Sequence, residues 1–463
     1  MVIQTTYAFN LEALITDLRT TLRDDQISVS ETDRETHSHD WSRHTPSLPD
    51  VVVWAESTDD AATVVKLANT HRVPITAWGA GTSLEGNPIP VHQGITLSLS
   101  RMTAISAVYP ADFQVTAQAG ITHEALNAVL REHGLFFAPV PGANATLGGI
   151  LANNASGTRT VRYGAAKDNV LAMTVVMANG EVITVGSRSV KQSSGYNLLN
   201  LIVGSEGTLG IVTEATVRLF PLEKFRSTAL VSFETTQQAI DAVVGIRTRG
   251  LTPKSLEFVG ETYAGILWDA VGINRKPLPT LFIEFGSFRE DVLEAELEIV
   301  KAVSEGLNAQ HIELTTDPEK CDELWLVRRH AYNYFQARYE GKSLYVTDVA
   351  VPISALPQMV GTIQRLMDEN GIDGVVLGHA GDGNVHATMP YDDDAGFAAV
   401  KRVNAGLIAT ALQLGGTATG EHGVGIGKAA HMEQEHGSAV AVMRTIKQAL
   451  DPNNILNPGK VFP

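Results

Sequence analysis

The 463-residue sequence contains one cysteine, Cys321, so the chain forms no intramolecular disulfide and needs no oxidising compartment. No apolar run reaches the roughly 18–20 residues of a membrane-spanning helix. Runs rich in lysine and arginine are also missing, and 51 acidic residues against 35 basic ones give a formal charge of -16. Because nucleic-acid binding depends on basic patches that neutralise phosphates, no nucleic-acid partner and no transmembrane segment are expected.

The first 25 residues carry early acids and lack the apolar core of a signal peptide. Their pattern predicts an amphipathic helix rather than a targeting segment. Together with the single cysteine, this predicts a cytoplasmic location, with peripheral contact with a membrane left open.

The length and the ordinary globular composition, 44% hydrophobic and 19% charged, indicate two or three domains. Alternating elements begin near residue 50: a strand at Val51–Trp54, a helix capped near Ser57 and a strand at Pro74–Trp78. After Pro221 the order becomes βαββαβ, the ferredoxin-like arrangement. The sequence therefore predicts an α+β protein. Its expected segments are an N-terminal helical part (1–45), a first domain (46–222), a cap-like domain (223–435) and a C-terminal tail (436–463) returning to the first domain.

Three loops rich in small residues lie in the first domain, at 79–87, 141–168 and 204–210. Such loops let backbone N–H groups approach phosphates closely. The dinucleotide fingerprint G-x-G-x-x-G fails because Leu84 stands at the third glycine, and the P-loop pattern fails because Asn87 replaces its lysine. The loops could together line a groove for a dinucleotide. The alternative is that they are ordinary turns, where Gly, Asn and Ser are common.

Three stretches strongly resemble the FAD-linked oxidase family, also called the vanillyl-alcohol oxidase or PCMH type: PITAWGAGTSLEG, PGANATLGGILANNASGTRTVRYG and LIVGSEGTLGIVTEATVRL. The resemblance implies a PCMH-type FAD-binding domain with a cap domain. The first loop lacks the histidine that some relatives link to flavin, so non-covalent FAD is expected. Carried over by position, the resemblance implies FAD contacts from Trp78, Gly79, Ala80, Gly81, Thr82, Ser83, Pro141, Gly142, Ala143, Thr146, Gly148, Gly149, Asn153, Ser156, Gly157, Glu206, Gly207, Gly210, Ile211, Val212 and Asn457.

A second group of candidate residues lies in the cap-like half. Two strand-like runs flank the turn A-G-D-G-N, and the hairpin that they predict would turn His379 and His386 towards each other. Glu421, in the glycine-dense run GEHGVGIGK, could complete a divalent metal site. His422 has the right ordinary pKa for a general base. Taken alone, a two-histidine hairpin is more often structural than metal-binding.

The strings GHAGDGNVH and GEHGVGIGK resemble the D-2-hydroxy-acid dehydrogenase branch of the family, together with LWLVRRHAYNYFQAR and DPNNILNPGKV. The likeness extends over nearly the whole chain from about His37. It implies that His379, His386 and Glu421 hold a divalent metal, Zn or Mn, and that His422 removes the proton of the substrate hydroxyl.

Arg328 is the candidate anchor for a substrate carboxylate. It falls on the apolar stripe of a helix predicted over 318–338, a stripe that also includes Tyr332, and a guanidinium there is costly unless it is paired. The partner could be the substrate carboxylate, which suits the planar fork, or a structural carboxylate. The family resemblance also places a carboxylate-binding arginine at Arg328.

Val346 bears on the choice of substrate. D-2-hydroxyglutarate enzymes of this branch have a lysine at the matching position and use it on the distal carboxylate. Valine cannot do so, which favours lactate or another 2-hydroxy acid with a small or apolar side chain.

The expected reaction is oxidation of a D-2-hydroxy acid, foremost D-lactate, to the 2-keto acid, with the C2 hydride passing to flavin N5. The electron acceptor is expected to be a cytochrome, a quinone or an electron-transfer flavoprotein. Three other interpretations stay open: the flavin subunit of a glycolate oxidase or a D-2-hydroxyglutarate dehydrogenase, a metal hydrolase using the His/His/Glu group, and a binding module without catalysis.

Overall fold

The computed structural model describes residues 9–462, which divide into two compact units. The first unit contains residues 9–157, Gly164–Leu222 and 421–462, and the second contains Thr158–Tyr163 and Glu223–Gly420. Within residues 9–462, no helix is both long and apolar enough to cross a membrane.

Strands and helices are numbered in chain order. The strands are β1 (Ile27–Ser28), β2 (Val51–Trp54), β3 (Ile75–Trp78), β4 (Ile95–Ser98), β5 (Ile105–Tyr109), β6 (Gln114–Gln118), β7 (Leu135–Phe136), β8 (Val170–Val176), β9 (Val182–Gly186), β10 (Ile211–Arg218), β11 (Phe220–Pro221), β12 (Phe225–Ser232), β13 (Ser255–Val259), β14 (Thr280–Ser287), β15 (His311–Thr315), β16 (Ser343–Val346), β17 (Val349–Ala350), β18 (Val375–His379) and β19 (Asn384–Tyr391). The α-helices are α1 (Leu11–Thr21), α2 (Glu31–Thr36), α3 (Thr58–His71), α4 (His123–Arg131), α5 (Leu147–Ala152), α6 (Thr160–Tyr163), α7 (Ala166–Asn169), α8 (Leu198–Ile202), α9 (Thr236–Thr248), α10 (Glu261–Ala270), α11 (Glu290–Gly306), α12 (Pro318–Arg329), α13 (Ala331–Arg338), α14 (Leu356–Glu369), α15 (Asp394–Gln413), α16 (Met432–His436) and α17 (Ala439–Leu450). Short 3₁₀ helices lie at Asp24–Gln26, Pro110–Asp112, Ile353–Ala355 and Ala429–His431.

The first unit contains two main sheets. One has the order β1-β2-β4-β3, with β2 and β3 both parallel to β4. The other is antiparallel, in the order β5-β6-β10-β8-β9. The predicted βαβ unit is confirmed: α3 begins where Ser57 Oγ accepts a hydrogen bond from the backbone N–H of Asp60. The predicted N-terminal helix corresponds to α1, whose Leu14 and Leu18 are buried, while residues 1–8 lie outside the described residues.

The segment 141–168 differs from the long polar loop that its composition predicts. It contains α5, α6 and most of α7. Thr146 caps α5, because its side chain accepts a hydrogen bond from the backbone N–H of Gly149, and the helix buries the side chains of Leu147 and Ile150. Capping and burial of the apolar residues outweigh the low helix propensity of the two glycines.

The second unit is built on one antiparallel eight-stranded sheet. Its strand order is β15-β12-β14-β13-β18-β19-β16, and β17 pairs with β19. The first four strands have the order that the ferredoxin-like arrangement requires, with α9 and α11 as its two helices. The later βαββα stretch joins the same sheet where Phe258 pairs with Gly378. The sequence missed α10, which lies between β13 and β14.

The units differ from the predicted segments at two places. Residues 158–163 belong to the second unit, where Arg162 Nη1 donates a hydrogen bond to Gly286 O at 2.9 Å. The second unit ends at Gly420, whereas the predicted cap-like domain extends to residue 435. In the tail, Ile75 N donates to Ile455 O and Asn457 N donates to Ile75 O, each at 2.8 Å, so the tail extends the edge of β3.

The predicted helix over 318–338 is interrupted at His330, which ends α12 and precedes α13. The predicted start is confirmed, because Asp317 caps α12 and Pro318 occupies its first turn. Tyr332 was predicted on the apolar stripe and is instead 45% exposed, because the interruption shifts the phase of the second helix.

Candidate functional site

The three small-residue loops of the first unit meet one another. Gly204 N donates to Leu151 O at 2.9 Å, and Glu206 N donates to Ala152 O at 2.8 Å, which joins the third loop to the second. The first loop approaches the second so closely that a Cβ on Gly79 would lie 2.4 Å from Thr146 Oγ1. The glycine at position 79 therefore serves this packing, and the three loops form one continuous surface.

The first loop offers a row of backbone donors. Among the described residues, the N–H groups of residues 80–83 donate to no protein acceptor. Gly81 has a φ of +67°, a left-handed conformation that suits glycine. Successive unpaired N–H groups in such a turn form an anion-binding concavity. This arrangement fits the pyrophosphate of a dinucleotide such as FAD.

The predicted FAD contacts fall into two groups by burial. The group with part of its surface exposed comprises Gly79, Ala80, Gly81, Thr82, Ser83, Pro141, Gly142, Ala143, Gly149, Asn153, Ser156 and Gly207. The buried group, which packs within the protein, comprises Trp78, Thr146, Gly148, Gly157, Glu206, Gly210, Ile211, Val212 and Asn457.

Glu206 and Asn457 hold protein segments together. The carboxylate of Glu206 accepts hydrogen bonds from Asn87 Nδ2 at 2.6 Å, Val424 N at 2.6 Å and Gly425 N at 2.8 Å. Burial raises the pKa of Glu206. Asn457 Nδ2 donates to Glu206 O at 2.7 Å and to Asn87 O at 3.1 Å. Their side chains thus tie the tail and the GEHGVGIGK segment to the small-residue loops.

Glu421 and His422 begin the GEHGVGIGK segment of the first unit. Ser156 Oγ donates to Glu421 Oε2 at 3.4 Å, and Asn153 Nδ2 donates to His422 O at 3.4 Å. His422 Nε2 lies 4.0 Å from Glu421 Oε1. Two predicted FAD contacts, Asn153 and Ser156, therefore adjoin the predicted base and the predicted carboxylate ligand.

In the second unit, the strand β13 carries a carboxylate that the sequence analysis missed. Glu257 is fully buried and accepts hydrogen bonds from two predicted site residues. His379 Nδ1 lies 2.7 Å from its Oε1, and Arg328 Nη2 lies 2.5 Å from its Oε2. Burial by itself raises the pKa of Glu257, but the interactions of its carboxylate with His379 and Arg328 outweigh burial and hold that pKa below its ordinary value.

Arg328 is therefore already in an ion pair, the structural partner that the sequence left open. Its side chain is 12% exposed. Its Nε is buried and makes no hydrogen bond among the described residues. A guanidinium has five N–H donors, so pairing with Glu257 leaves others for a second carboxylate.

The predicted hairpin formed by β18 and β19 is confirmed, and it brings the two histidines together. The rings of His379 and His386 lie 5.6 Å apart, centroid to centroid. His386 Nδ1 lies 2.8 Å from Thr347 O, so it is the protonated nitrogen that donates to this carbonyl. Since Glu257 binds His379 Nδ1 in the same way, Nε2 is the acceptor nitrogen of both rings, as in metal-binding histidines.

Asp348, which the sequence analysis did not single out, organises the same region. Its carboxylate is buried and accepts from Asn384 Nδ2, Thr419 Oγ1 and Gly420 N, each at 2.8 Å. It thereby holds the hairpin turn against the segment that ends at Gly420, directly before Glu421.

His379 and His386 of the second unit and Glu421 of the first unit are the three ligands that the sequence analysis assigns to a metal ion. Two imidazole nitrogens and one carboxylate suit zinc, and a three-residue set leaves a coordination position for substrate. The donor set therefore fits a divalent cation.

Glu257 could have been found from the sequence by one signal. In SLEFV, the acid is the only charged residue in an apolar run that reads as a buried strand. Such a residue is expected to have a charged partner. Nothing in the sequence identified that partner, because Arg328 and His379 lie 71 and 122 residues away.

Two family models match the chain. Residues 222–461 match the model described as "FAD linked oxidases, C-terminal domain", and residues 49–186 match the "FAD binding domain" model. The second match supports FAD as the cofactor, as the resemblance implied.

Several curated proteins are similar over most of their length. The "Probable D-lactate dehydrogenase, mitochondrial" of Danio rerio is 37% identical, over 98% of this chain and 92% of its own length. The "D-lactate dehydrogenase [cytochrome], mitochondrial" of Arabidopsis thaliana is 35% identical, over 97% and 80%. The "Glycolate oxidase subunit GlcD" of Bacillus subtilis is 33% identical, over 94% and 92%.

A solved structure supports the predicted fold. That of p-cresol methylhydroxylase with substrate bound has a TM-score of 0.77 at 17% identity, covering 97% of this chain and 96% of its own. At this identity the likeness shows the fold alone. The PCMH-type FAD-binding fold with an added α/β domain is thus confirmed.

The predicted cytoplasmic location is wrong. The similar proteins of Danio rerio and Arabidopsis thaliana are both named as mitochondrial. The prediction failed because an amphipathic N-terminal pattern and a shortage of cysteine do not distinguish the cytosol from another reducing compartment.

Proposed function

Because the chain belongs to the FAD-linked oxidase family, we propose that it is an FAD-dependent dehydrogenase that oxidises a D-2-hydroxy acid, foremost D-lactate, to the 2-keto acid. The observation that carries the proposal is the His379–Glu257–Arg328 cluster in a chain similar to D-lactate dehydrogenases along nearly its whole length. This cluster combines an imidazole, which could bind a cation for the hydroxyl group of a hydroxy acid, with a guanidinium, which could bind its carboxylate.

Arg328 binds the substrate carboxylate in this proposal. Glu257 occupies one end of its guanidinium, and the buried Nε needs an acceptor. A buried donor without a partner costs about 1–3 kcal/mol, which a bound carboxylate would offset. The planar fork also fixes the orientation of the acid, so the carbon that reacts is held in one position.

His379, His386 and Glu421 would hold the divalent cation, Zn or Mn. Both histidines are fixed through Nδ1, which supports ligation through Nε2. A cation there would polarise the C2 hydroxyl and lower its pKa.

His422 is the proposed general base for the hydroxyl proton. Imidazole side chains ordinarily have a pKa near neutral pH, which suits a general base. The hydrogen bond from Asn153 to its carbonyl and the hydrogen bonds from Val424 and Gly425 to Glu206 fix the backbone on which it stands.

The small-residue loops would hold FAD non-covalently, with the N–H groups of residues 80–83 on its pyrophosphate. Bound FAD supplies the acceptor for the hydride that leaves C2. The residues of the chain orient the acid, remove the hydroxyl proton and prevent the substrate from binding in other orientations.

Val346 supports a small or apolar substrate side chain. It ends β16, pairs with Thr388 and directly precedes Thr347, whose carbonyl accepts from His386. A valine there offers no charge to a distal carboxylate, which disfavours D-2-hydroxyglutarate.

The electron acceptor is proposed to be a cytochrome, because the Arabidopsis thaliana relative is named D-lactate dehydrogenase [cytochrome]. A quinone or an electron-transfer flavoprotein is the alternative. Stopped-flow reoxidation of the reduced protein by each acceptor separates the three, because only the physiological one should react faster than turnover.

The direct test is anaerobic addition of D-lactate and L-lactate to the purified flavoprotein, followed by flavin absorbance. We expect rapid bleaching with the D-enantiomer and little with the L-enantiomer. If neither lactate nor any other 2-hydroxy acid bleaches a protein that retains flavin, the proposal is wrong.

A second candidate function is the flavin subunit of a glycolate oxidase. It is favoured by the similarity to the Bacillus subtilis subunit. In that case glycolate would bleach the flavin faster than D-lactate, and partner subunits would co-purify from the native source. The metal-hydrolase interpretation does not account for the match to an FAD binding domain.

A further inference from the structure

Glu257 lies in the sheet of the second unit at a place where a charge is costly. All five residues of β13 are buried, and the carboxylate is fully enclosed. A buried carboxylate is stable only when it is paired and hydrogen-bonded. The partners of Glu257 therefore indicate its task.

Those partners belong to two different parts of the proposed site. Arg328, the carboxylate anchor, donates to Oε2 at 2.5 Å, and His379, a proposed cation ligand, lies 2.7 Å from Oε1 through Nδ1. One buried side chain thus contacts both the group that would bind the acid and a group that would bind the cation. Along the sequence these two groups are distant, and Glu257 joins them directly.

We infer that Glu257 is a positioning residue that sets the geometry of the carboxylate anchor and of the cation site together, an inference that rests on the proposed function. Glu257 accepts a hydrogen bond from His379 Nδ1 and so fixes the tautomer in which Nε2 carries the lone pair for the cation. It also accepts a hydrogen bond from Arg328 Nη2, which fixes the orientation of the guanidinium and leaves the other N–H donors for the substrate.

The charges lead to the same conclusion. Glu257 cancels the charge of Arg328, and Glu421 cancels half the charge of a divalent cation. Without Glu257, the uncompensated guanidinium would add a positive charge beside the cation and oppose its binding.

Glu257→Gln is the variant that tests this inference, because glutamine keeps the shape and loses the charge. Glu284→Gln is the matched control: Glu284 lies half-buried on the neighbouring strand β14, where its carboxylate faces Lys254. Zinc affinity is measured on the flavin-loaded proteins by dialysis against a series of chelator concentrations, with atomic absorption as the readout. We expect E257Q to bind zinc about 10–100-fold more weakly than the wild type, and E284Q to bind it equally well.

Kinetics at saturating zinc measure the second role. With the cation site filled, E257Q should raise KM for D-lactate by about tenfold or more, because Arg328 is no longer held. A merely structural defect would lower the amount of active enzyme, and therefore kcat, without changing KM or zinc affinity. Flavin content and the thermal unfolding midpoint report the integrity of the fold.

If E257Q loses its flavin, Glu257→Asp takes its place, because aspartate keeps the charge and withdraws the carboxylate by one methylene. E257D should then bind zinc more weakly than the wild type and have a higher KM for D-lactate. Both changes should be smaller than those expected for E257Q, because aspartate keeps the charge. Wild-type zinc affinity together with wild-type KM in a folded Glu257 variant would overturn the inference. A wild-type protein that binds neither zinc nor manganese would overturn its cation half.

These outcomes remain separate from failure of the proposed function. A wild-type flavin that no 2-hydroxy acid bleaches, in a protein whose zinc binding still depends on Glu257, contradicts the function and supports the positioning role in the cation site. A wild-type flavin that D-lactate bleaches, with zinc affinity and KM unaffected by E257Q, leaves the function intact and removes the role of Glu257.

Discussion

The carboxylate of Glu206 accepts a hydrogen bond from the backbone N–H of Val424 at 2.6 Å, across 218 residues of sequence. Gly425 N donates to the same carboxylate at 2.8 Å. The segment that follows His422 is thus held by a residue of the third small-residue loop. The position of the proposed base and the integrity of the proposed flavin-binding surface consequently depend on one side chain.

Glu206→Ala should therefore destabilise the fold and impair the reaction together. It leaves the buried N–H of Gly425, the partly buried N–H of Val424 and the amide of Asn87 without their acceptor, which we expect to cost about 3 kcal/mol or more in the free energy of unfolding. Urea unfolding measures this cost, and the rate of flavin reduction by D-lactate should fall in parallel. Glu181→Ala is the control, since Glu181 is exposed at the β8–β9 turn; equal stability of the two variants would contradict the expectation.

Arg328→Ala should raise KM for D-lactate by about 10–100-fold, the effect of losing one or two charge-assisted hydrogen bonds. Arg329→Ala serves as the control. Arg329 is the next residue along the chain, its guanidinium is exposed, and its ion pair with Asp322 is long, at 3.9 Å. Steady-state kinetics on both variants distinguish substrate binding from a general effect of charge. A KM that changes equally in the two would remove Arg328 from the substrate site.

His422→Ala should slow flavin reduction by about 10²–10⁴-fold, the usual contribution of a general base. Zinc content should stay at the wild-type level, whereas His379→Ala and His386→Ala should lose zinc first and activity as a consequence. Stopped-flow reduction together with metal analysis separates the two roles. His436→Ala, in the exposed end of α16, should resemble the wild type in both measurements.

Val346→Lys should shift the substrate preference towards a dicarboxylate. The added ammonium supplies a partner for a distal carboxylate, and we expect the ratio of kcat/KM for D-2-hydroxyglutarate to that for D-lactate to rise by about tenfold or more. Val346→Met, which changes the shape without adding charge, is the control. An equal ratio in the two variants would show that position 346 does not contact the substrate side chain.

Lys460 should make stability depend on pH. Burial lowers its pKa to about 7 from an ordinary 10.5, while the carboxylates of Glu206 and Asp40 partly oppose that shift. Between these pH values the unfolded chain binds one more proton than the folded chain, so the free energy of unfolding rises as the pH is raised. Near and below pH 7 the destabilising effect of burying this amine is largest.

Lys460→Met should remove this dependence. The difference in unfolding free energy between wild type and K460M should change by a few kcal/mol across the window, at about 1.4 kcal/mol per pH unit. Urea unfolding at several pH values provides the measurement, with Lys301→Met at an exposed site as the control. A difference that stays constant with pH would mean that Lys460 titrates normally in the folded chain.

Local patterns in the sequence predicted much of the fold. Ser57 predicted the start of α3, Asp317 and Pro318 predicted the start of α12, and the turn between His379 and His386 predicted the β18–β19 hairpin. Each of these features is decided by residues within a few positions of one another. The predictions failed at Thr146, which caps a helix where a loop was predicted, and at His330, which interrupts a helix that was predicted to be continuous.

The sequence by itself determined the chemical types present: loops rich in small residues, two imidazoles on one hairpin, and a carboxylate and an imidazole in a glycine-rich turn. Only the tertiary structure decided which charges meet. It placed Glu257 between Arg328 and His379 and Glu206 against Val424, because a buried charge takes the partner that folding brings to it, and periodicity along one element cannot specify a partner that lies on another.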